Sequence, residues 1–191
     1  MRILFLAAIV PPLFLMYKIY HMDKIEKEPT GLLVRLFLFG ALSCIPAAFI
    51  ETILEDHVLP ILFSPGSLVF IAISNFIIIA GAEELCKYFV LKKVTWNNPN
   101  FDYRFDAIVY SAAVTLGFAA LENILYVFSG GLSVALPRAL LSIPGHCIFG
   151  IYMGYYYGFA KQCNLQDDIV QEKSYLRKAV LHPMLLHGFY D

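Results

Sequence analysis

Two adjacent glutamates, Glu83 and Glu84, lie inside an apolar stretch over residues 68–91 that is long enough to cross a lipid bilayer as one helix. An ionised side chain at the centre of a membrane helix costs about 2.5–3.5 kcal/mol on insertion scales. Such side chains normally face a polar interior and mark a functional site. Because Glu122, His146 and His187 occur in later apolar stretches, the five residues together predict a metal site at membrane depth.

The composition is that of a membrane protein. The chain of 191 residues is 59% hydrophobic and 15% charged, and its mean hydropathy is +0.67. Soluble proteins average about 45–50% apolar and about 25% charged residues. The net charge of −1 gives no general basic field, which argues against nucleic acid as a partner. We expect residues 1–191 to form a single integral membrane domain within a lipid bilayer.

Apolar runs predict an all-α, polytopic transmembrane helix bundle. A spanning helix needs about 20 mostly apolar residues. Five segments meet this requirement, at about 2–20, 32–50, 68–91, 106–128 and 135–159. A sixth apolar segment begins near residue 179 and is too short to cross before the chain stops at Asp191. The prediction is therefore five full spans and a sixth that is partial or truncated.

The basic residues predict an orientation. Eleven of the 14 lysines and arginines lie in three segments, 18–35, 92–104 and 161–178, whereas the alternating connections 51–67 and 129–134 contain none. Lys and Arg concentrate on the cytoplasmic side of membrane proteins. The three basic segments are therefore expected in the cytoplasm, with the N-terminus outside.

The third span places a lysine beside the paired glutamates. Lys87 follows Glu83 by four residues and Glu84 by three, so it can reach either carboxylate on one helix face. Adjacent residues point about 100° apart, so one glutamate can face a cavity while the other binds Lys87. The structural alternative is a salt bridge that only locks the helix, but such a bridge does not need a second carboxylate in lipid.

The fourth span carries Glu122 on the same stripe as Phe118, with Asn123 alongside. No basic residue lies within reach of Glu122 on its own helix. An ionised Glu122 therefore requires a cation from elsewhere, which is either a metal ion or Arg138. The alternative is a protonated, hydrogen-bonded carboxyl group.

Two histidines complete the candidate set. After His146, glycines recur every four residues at Gly150, Gly154 and Gly158, a spacing that lets another helix approach closely. His187 precedes Asp191 by four residues, which allows the carboxylate to orient the imidazole. A lone histidine in a membrane helix is more often a hydrogen-bonded core residue than a ligand. The remaining histidines lie near interfaces or in loops and are assigned no function: His21, His57 and His182.

One carboxylate and two imidazoles match the ligands of catalytic zinc centres that leave a position open for water. A further glutamate can then act as the general base. These residues predict peptide-bond hydrolysis within or beside the membrane. The main alternative is a proton- or cation-coupled transporter, because intramembrane Glu, Lys and His also form proton relays. The paired halves typical of many transporters are not evident.

Four ordered motifs resemble the PrsW-type intramembrane metalloproteases, which are distantly similar to the CAAX prenyl endopeptidase and bacteriocin-processing families. The motifs are Glu83-Glu84-x-x-Lys87, Gly117 through Asn123, Arg138 with His146, and His187-Gly188-x-x-Asp191. The segment from Tyr20 to Gly40 also resembles that family's first cytoplasmic loop and second helix. The resemblance therefore covers nearly the whole chain. Family members carry further hydrophobic sequence after the last motif, whereas this chain ends at Asp191.

The resemblance implies an endopeptidase of the bacterial plasma membrane. It implies the first (site-1) cut in a single-span membrane anti-sigma factor, on the extracytoplasmic side, which starts a proteolytic cascade. It assigns the roles as follows: Glu83 or Glu84 activates water, Glu122, His146 and His187 hold a divalent metal such as zinc, Asn123 or Arg138 stabilises the oxyanion, and Lys87 and Asp191 support the site.

Overall fold

Six helices build the bundle in the computed structural model, which describes residues 1–24 and 26–191. Within those ranges every regular element is helical. The helices are α1 (Arg2–Met22), α2 (Thr30–Leu62), α3 (Leu68–Thr95), α4 (Arg104–Gly130), α5 (Leu132–Leu165) and α6 (Ile169–Tyr190). The predicted all-α bundle is confirmed.

Helices α1 to α5 are long and apolar enough to cross a membrane. The chain is therefore a multi-pass membrane protein, and the prediction of five full spans with a lesser sixth is confirmed. Helix α4 is central, because 72% of its most apolar window is buried, against 17% to 39% for the other four spans. It packs against α1, α2, α3 and α5.

Three helices extend further than hydropathy predicts. Helix α2 continues to Leu62, so most of the predicted connection 51–67 is helical and carries its carboxylates on a helix. Helix α5 covers 132–165 instead of 135–159. Helix α6 begins at Ile169, not near 179, because the side chain of Asp168 caps its first turn by accepting from the backbone N–H of Gln171 (3.1 Å). Helical backbone bonding persists through polar residues that interrupt an apolar run.

Glycines allow the helices around α4 to touch backbone to backbone. A Cβ atom on Gly40 of α2 would overlap the Val114 backbone of α4, and one on Gly117 would overlap the Phe37 backbone. On the other side, a Cβ atom on Gly154 of α5 would lie 2.5 Å from the carbonyl oxygen of Ala107. The partner of the glycine stripe is therefore α4. This close packing brings the Phe118 and Glu122 region of α4 next to both neighbouring helices.

Three wide, π-helical turns interrupt the spans, at Leu54–Val58 in α2, Ser74–Ile79 in α3 and Arg138–Ser142 in α5. The first two are joined by a hydrogen bond from the Ser74 hydroxyl to the Glu55 carboxylate. Single π-helical turns in α-helices occur frequently at functional sites. All three turns contribute side chains to one cavity.

Candidate metal centre and active-site cavity

The paired glutamates of α3 share one buried cation. Nζ of Lys87 donates to Oε2 of Glu83 and to Oε1 of Glu84, each at 2.8 Å. The Lys87 side chain is 0% exposed, and its ammonium lies 4.1 Å from the centre of the Phe118 ring. Lys87 therefore binds both glutamates at once, whereas the sequence had suggested that it could bind one while the other faced a cavity. It balances one of the two negative charges by direct contact.

The two glutamates nevertheless occupy different surroundings. Glu83 lines the cavity, whereas Glu84 is 0% exposed and lies behind it. Oε1 of Glu84 contacts both Lys87 and Nδ1 of His187 (3.0 Å). Its Oε2 has no hydrogen-bond partner among the residues that the structure describes. A buried carboxylate oxygen without a partner is costly, and this one is available to a ligand.

Both histidines present Nδ1 to the glutamate pair. Nδ1 of His187 lies 3.8 Å from Oε2 of Glu83, and Nδ1 of His146 lies 4.0 Å from the same oxygen. Nδ1 of His146 is also 3.3 Å from Nζ of Lys87. The centres of the two imidazole rings are 5.3 Å apart. Side chains from α3, α5 and α6 therefore converge on one point.

The second nitrogen of each imidazole faces a carboxylate. Nε2 of His146 lies 2.9 Å from Oε2 of Glu122, and Nε2 of His187 lies 3.4 Å from Oδ2 of Asp191. Histidines that bind metals usually direct their other ring nitrogen to a carboxylate or carbonyl, which fixes the ring and raises its basicity. Glu122 is the carboxylate in this position for His146, and Asp191 is the carboxylate in this position for His187.

Asn123 and Glu122 hold the guanidinium of Arg138 from two sides. Nε of Arg138 donates to Oδ1 of Asn123 (2.9 Å), and Nη2 donates to Oε2 of Glu122 (2.8 Å). Nδ2 of Asn123 donates to the carbonyl oxygen of Ala8 in α1 (2.9 Å). Both ends of the Asn123 amide are therefore engaged, and this arrangement favours Asn123 as the residue that positions Arg138. The cation that meets Glu122 in the structure is Arg138.

Four residues offer donor atoms that all lie within 4.8 Å of one another: Glu83, Glu84, His146 and His187. All four are buried. Of the predicted ligands, His146 and His187 belong to this group, while Glu122 joins it through its contact with His146. These residues are far apart in the sequence, but the fold brings their side chains together.

The charges of the site leave room for a divalent cation. Counted as formal charges, four carboxylates (Glu83, Glu84, Glu122 and Asp191) face two cations, Lys87 and Arg138. With neutral imidazoles, two negative charges remain in a largely buried site. Imidazole and carboxylate together are the ligand types of zinc and similar divalent metals. The residues present thus fit such an ion in both charge and donor chemistry.

A cavity of about 480 Å³ gives access to the site. We define the basic end of the bundle as the end with the connections 23–29, 96–103 and 166–168. The cavity lies in the half of the bundle away from this end. Its lining comes mainly from the C-terminal halves of α2, α4 and α6 and from the N-terminal halves of α3 and α5. Its polar lining is formed by Glu51, Glu55, Asn75, Glu83, Glu122, Tyr126, Arg138, Ser142, His146, His187, Tyr190 and Asp191.

Glu51 and Glu55 line the cavity, although the hydropathy pattern had predicted that they lie in a connection between two spans. In the structure, the face of α2 that carries Cys44, Ala48, Glu51 and Glu55 borders the cavity. The spacing of these four positions, alternately four and three residues, is that of one helix face. This spacing is the signal that identifies them.

A second group of carboxylates lies at the basic end. Asp23 and Glu28 flank the α1–α2 connection, and their oxygens lie within 4.8 Å of a carboxylate oxygen of Asp106 in α4. The Tyr110 hydroxyl donates to Glu28. Burial raises the pKa of Glu28 to about 7. This network fastens the connection onto α4.

A membrane helix bundle with a polar-lined cavity, paired glutamates and two carboxylate-supported imidazoles matches the class of intramembrane metal-dependent hydrolases. The model of the family described as PrsW family intramembrane metalloprotease matches residues 28–191. The chain belongs to this family, and the resemblance seen in the four motifs is confirmed. It is therefore a membrane metalloprotease that hydrolyses peptide bonds.

Curated relatives support the assignment over nearly the full chain. Protease PrsW of Geobacillus kaustophilus is 38% identical over 185 residues, which cover 97% of this chain and 76% of the relative. Protease PrsW of Oceanobacillus iheyensis is 40% identical, with 97% and 80% covered. Protease PrsW of Bacillus subtilis is 35% identical, with 97% and 79% covered. No solved structure matches the chain.

Proposed function

We propose that residues 1–191 act as one protease domain that makes the first, extracytoplasmic-side cut in a single-span membrane anti-sigma factor. The observation that carries this proposal is the convergence of Glu83, Glu84, His146 and His187 beside a cavity in the half of the bundle away from its basic end. Family membership supports the reaction.

The side of the cut follows from the charge distribution. Eleven of the 14 basic residues lie in segments at the basic end, which we assign to the cytoplasm of a bacterium. This orientation puts the N-terminus outside. The cavity then lies in the extracytoplasmic half of the plasma membrane, where a bond near the outer end of a substrate helix can enter it.

We assign the metal to His146, His187 and Glu84. Each offers a donor atom within 4.8 Å of the others, and Glu84 keeps one oxygen without a partner among the described residues. Glu122, the ligand implied by the family resemblance, instead holds His146 through Nε2. A bound divalent ion, zinc for this donor set, supplies a Lewis acid and lowers the pKa of water to about 7.

Glu83 is the general base in this proposal, because it is the member of the pair that lines the cavity. Its carboxylate accepts the proton of the attacking water and then delivers it to the leaving amide nitrogen. Lys87 donates to this carboxylate at 2.8 Å and holds it in place. Because Lys87 also binds Glu84, it fixes the two glutamates relative to each other.

Arg138 stabilises the developing oxyanion. Its guanidinium carries five N–H donors, of which the bonds to Asn123 and Glu122 use two. Since Arg138 lines the cavity, further donors are available to a substrate carbonyl. Asn123 contributes by holding the guanidinium in place.

The test is cleavage in liposomes that contain only this protein and a single-span anti-sigma factor encoded by the same genome. We expect one cut on the extracytoplasmic side, located by mass spectrometry of the fragments and abolished by a zinc chelator. The matched control is His57→Ala, which removes an exposed histidine outside the cavity. Cleavage that persists in chelator, cleavage on the basic side, or ion flux in place of cleavage contradicts the proposal.

A further inference from the structure

A long apolar groove runs along the outside of α2 and α3, on the side facing away from the catalytic cavity. It has a volume of about 1180 Å³. Its walls are formed mainly by Phe39, Leu42 and Pro46 of α2 and by Ile77, Leu85 and Phe89 of α3. Leu42 is 56% exposed and Phe89 is 69% exposed. The groove is therefore an open apolar surface between two spans.

The groove is longer than one leaflet of the bilayer is deep. Its lining extends from Phe39 to Leu54 on α2 and from Ile77 to Lys93 on α3, and it continues to Trp96 and Asn97 just past the end of α3. At 1.5 Å per residue the two helical stretches are about 22 Å and about 24 Å long. The hydrocarbon core of a bilayer is about 30 Å thick. A phospholipid tail covers one leaflet, or half of that depth, whereas a transmembrane helix is long enough to run along the whole groove.

Small side chains in the groove suit close helix packing. Ser43 of α2 and Gly81, Ala82 and Cys86 of α3 contribute to the lining. In membranes, small residues let two helices approach closely and pack through van der Waals contact. The larger side chains on either side provide walls into which a helix can pack.

The groove and the catalytic cavity are separated by one seam between α2 and α3. On α2, Ser43 lines the groove and the next residue, Cys44, lines the cavity. On α3, Ala82 lines the groove and the next residue, Glu83, lines the cavity. A helix in the groove therefore lies across this seam from the proposed general base, Glu83.

The ends of the seam differ in structure. Toward the end away from the basic connections, both helices have π-helical turns, joined by the bond between Ser74 and Glu55. At the basic end, the groove is bounded by Lys92 and Lys93 beside Trp96. These lysines repel a basic flank on an occupant and attract an acidic one. Most cytoplasmic flanks are basic, so the lysine pair discriminates between single-span proteins.

We propose that this groove docks the transmembrane helix of the substrate, and that the substrate reaches Glu83 by passing between α2 and α3. This inference rests on the proposed function, since it concerns the substrate of the same site. The occupant is a single-span helix with an acidic or neutral flank at its cytoplasmic end.

Site-specific photo-crosslinking tests the docking directly. Benzoylphenylalanine is placed at Leu42 or Leu85, which line the groove, and at Ile45 as the matched control. Ile45 lies on α2, is 60% exposed and is not part of the groove lining. With the single-span anti-sigma factor in the same liposomes, we expect crosslinks to it from Leu42 and Leu85 and none from Ile45. Crosslinks only to phospholipid, only to a second copy of the chain, or equally from Ile45 overturn the proposal.

Cleavage measured in parallel separates this inference from the proposed function. Leu42→Trp fills the groove and is expected to slow cleavage at least tenfold, while Ile45→Trp leaves the rate unchanged. Groove crosslinks without cleavage would refute the proposed function alone. Cleavage without groove crosslinks, or at an unchanged rate in Leu42→Trp, would refute the docking alone.

Discussion

Glu83→Gln and Glu84→Gln are each expected to lower the cleavage rate by about 10²–10⁴-fold, the usual contribution of a general base or an equally essential polar group. Glutamine has nearly the same shape and still accepts a hydrogen bond from Lys87, so the bundle should stay folded. It cannot take up a proton from water, and it is a poor metal ligand. The measurement is the initial cleavage rate in liposomes, with Glu26→Gln as an exposed control.

The two substitutions should differ in metal content. Glu83 lines the cavity, whereas Glu84 is fully buried against Lys87 and His187. Glu83→Gln is therefore expected to keep the metal and lose turnover, and Glu84→Gln to lose both. An active Glu83→Gln variant would exclude Glu83 as the base, and the reverse pattern of metal loss would exchange the two roles.

Lys87→Met should cause the largest loss of stability of any single change in the site. The substitution removes a cation with 0% exposure that contacts two buried carboxylates at 2.8 Å. Breaking a buried ion pair by removing one partner typically costs about 3–5 kcal/mol, because the remaining charge is uncompensated. We expect a clearly lower thermal unfolding temperature in detergent, whereas Lys93→Met, at an exposed position, should have little effect.

A double substitution separates charge from packing in this result. If uncompensated charge causes the loss, Glu83→Gln together with Lys87→Met should recover part of the stability, since one buried carboxylate is removed. Additive losses in the double variant would instead show that Lys87 stabilises the site mainly through contacts other than that with Glu83, such as the contact of its ammonium with the Phe118 ring.

Much of the fold is predictable from the sequence, because hydropathy reports the number of spans directly. The segment 68–91 and the observed helix Leu68–Thr95 differ only at one end. The predicted end of α2 and the predicted start of α6 were wrong, because polar residues interrupt an apolar run without interrupting backbone hydrogen bonds. Glu51 and Glu55 were missed for the same reason.

Within the site, only the contacts between residues of the same helix were predictable from the sequence. Spacing shows that Lys87 can reach both glutamates, and the structure contains both bonds. Contacts between helices depend on rotation and crossing angle, which spacing along the chain does not report. The sequence therefore left Glu122 free to meet a metal or Arg138, and it could not show that Glu122 faces Nε2 of His146.

The metal content of the purified protein tests the central claim most directly. We expect about one zinc ion per chain in the unmodified protein, loss of that ion in His146→Ala and in His187→Ala, and retention in His57→Ala. Protein that cleaves its substrate without any bound metal, or histidine variants that keep the full metal content, would contradict the account.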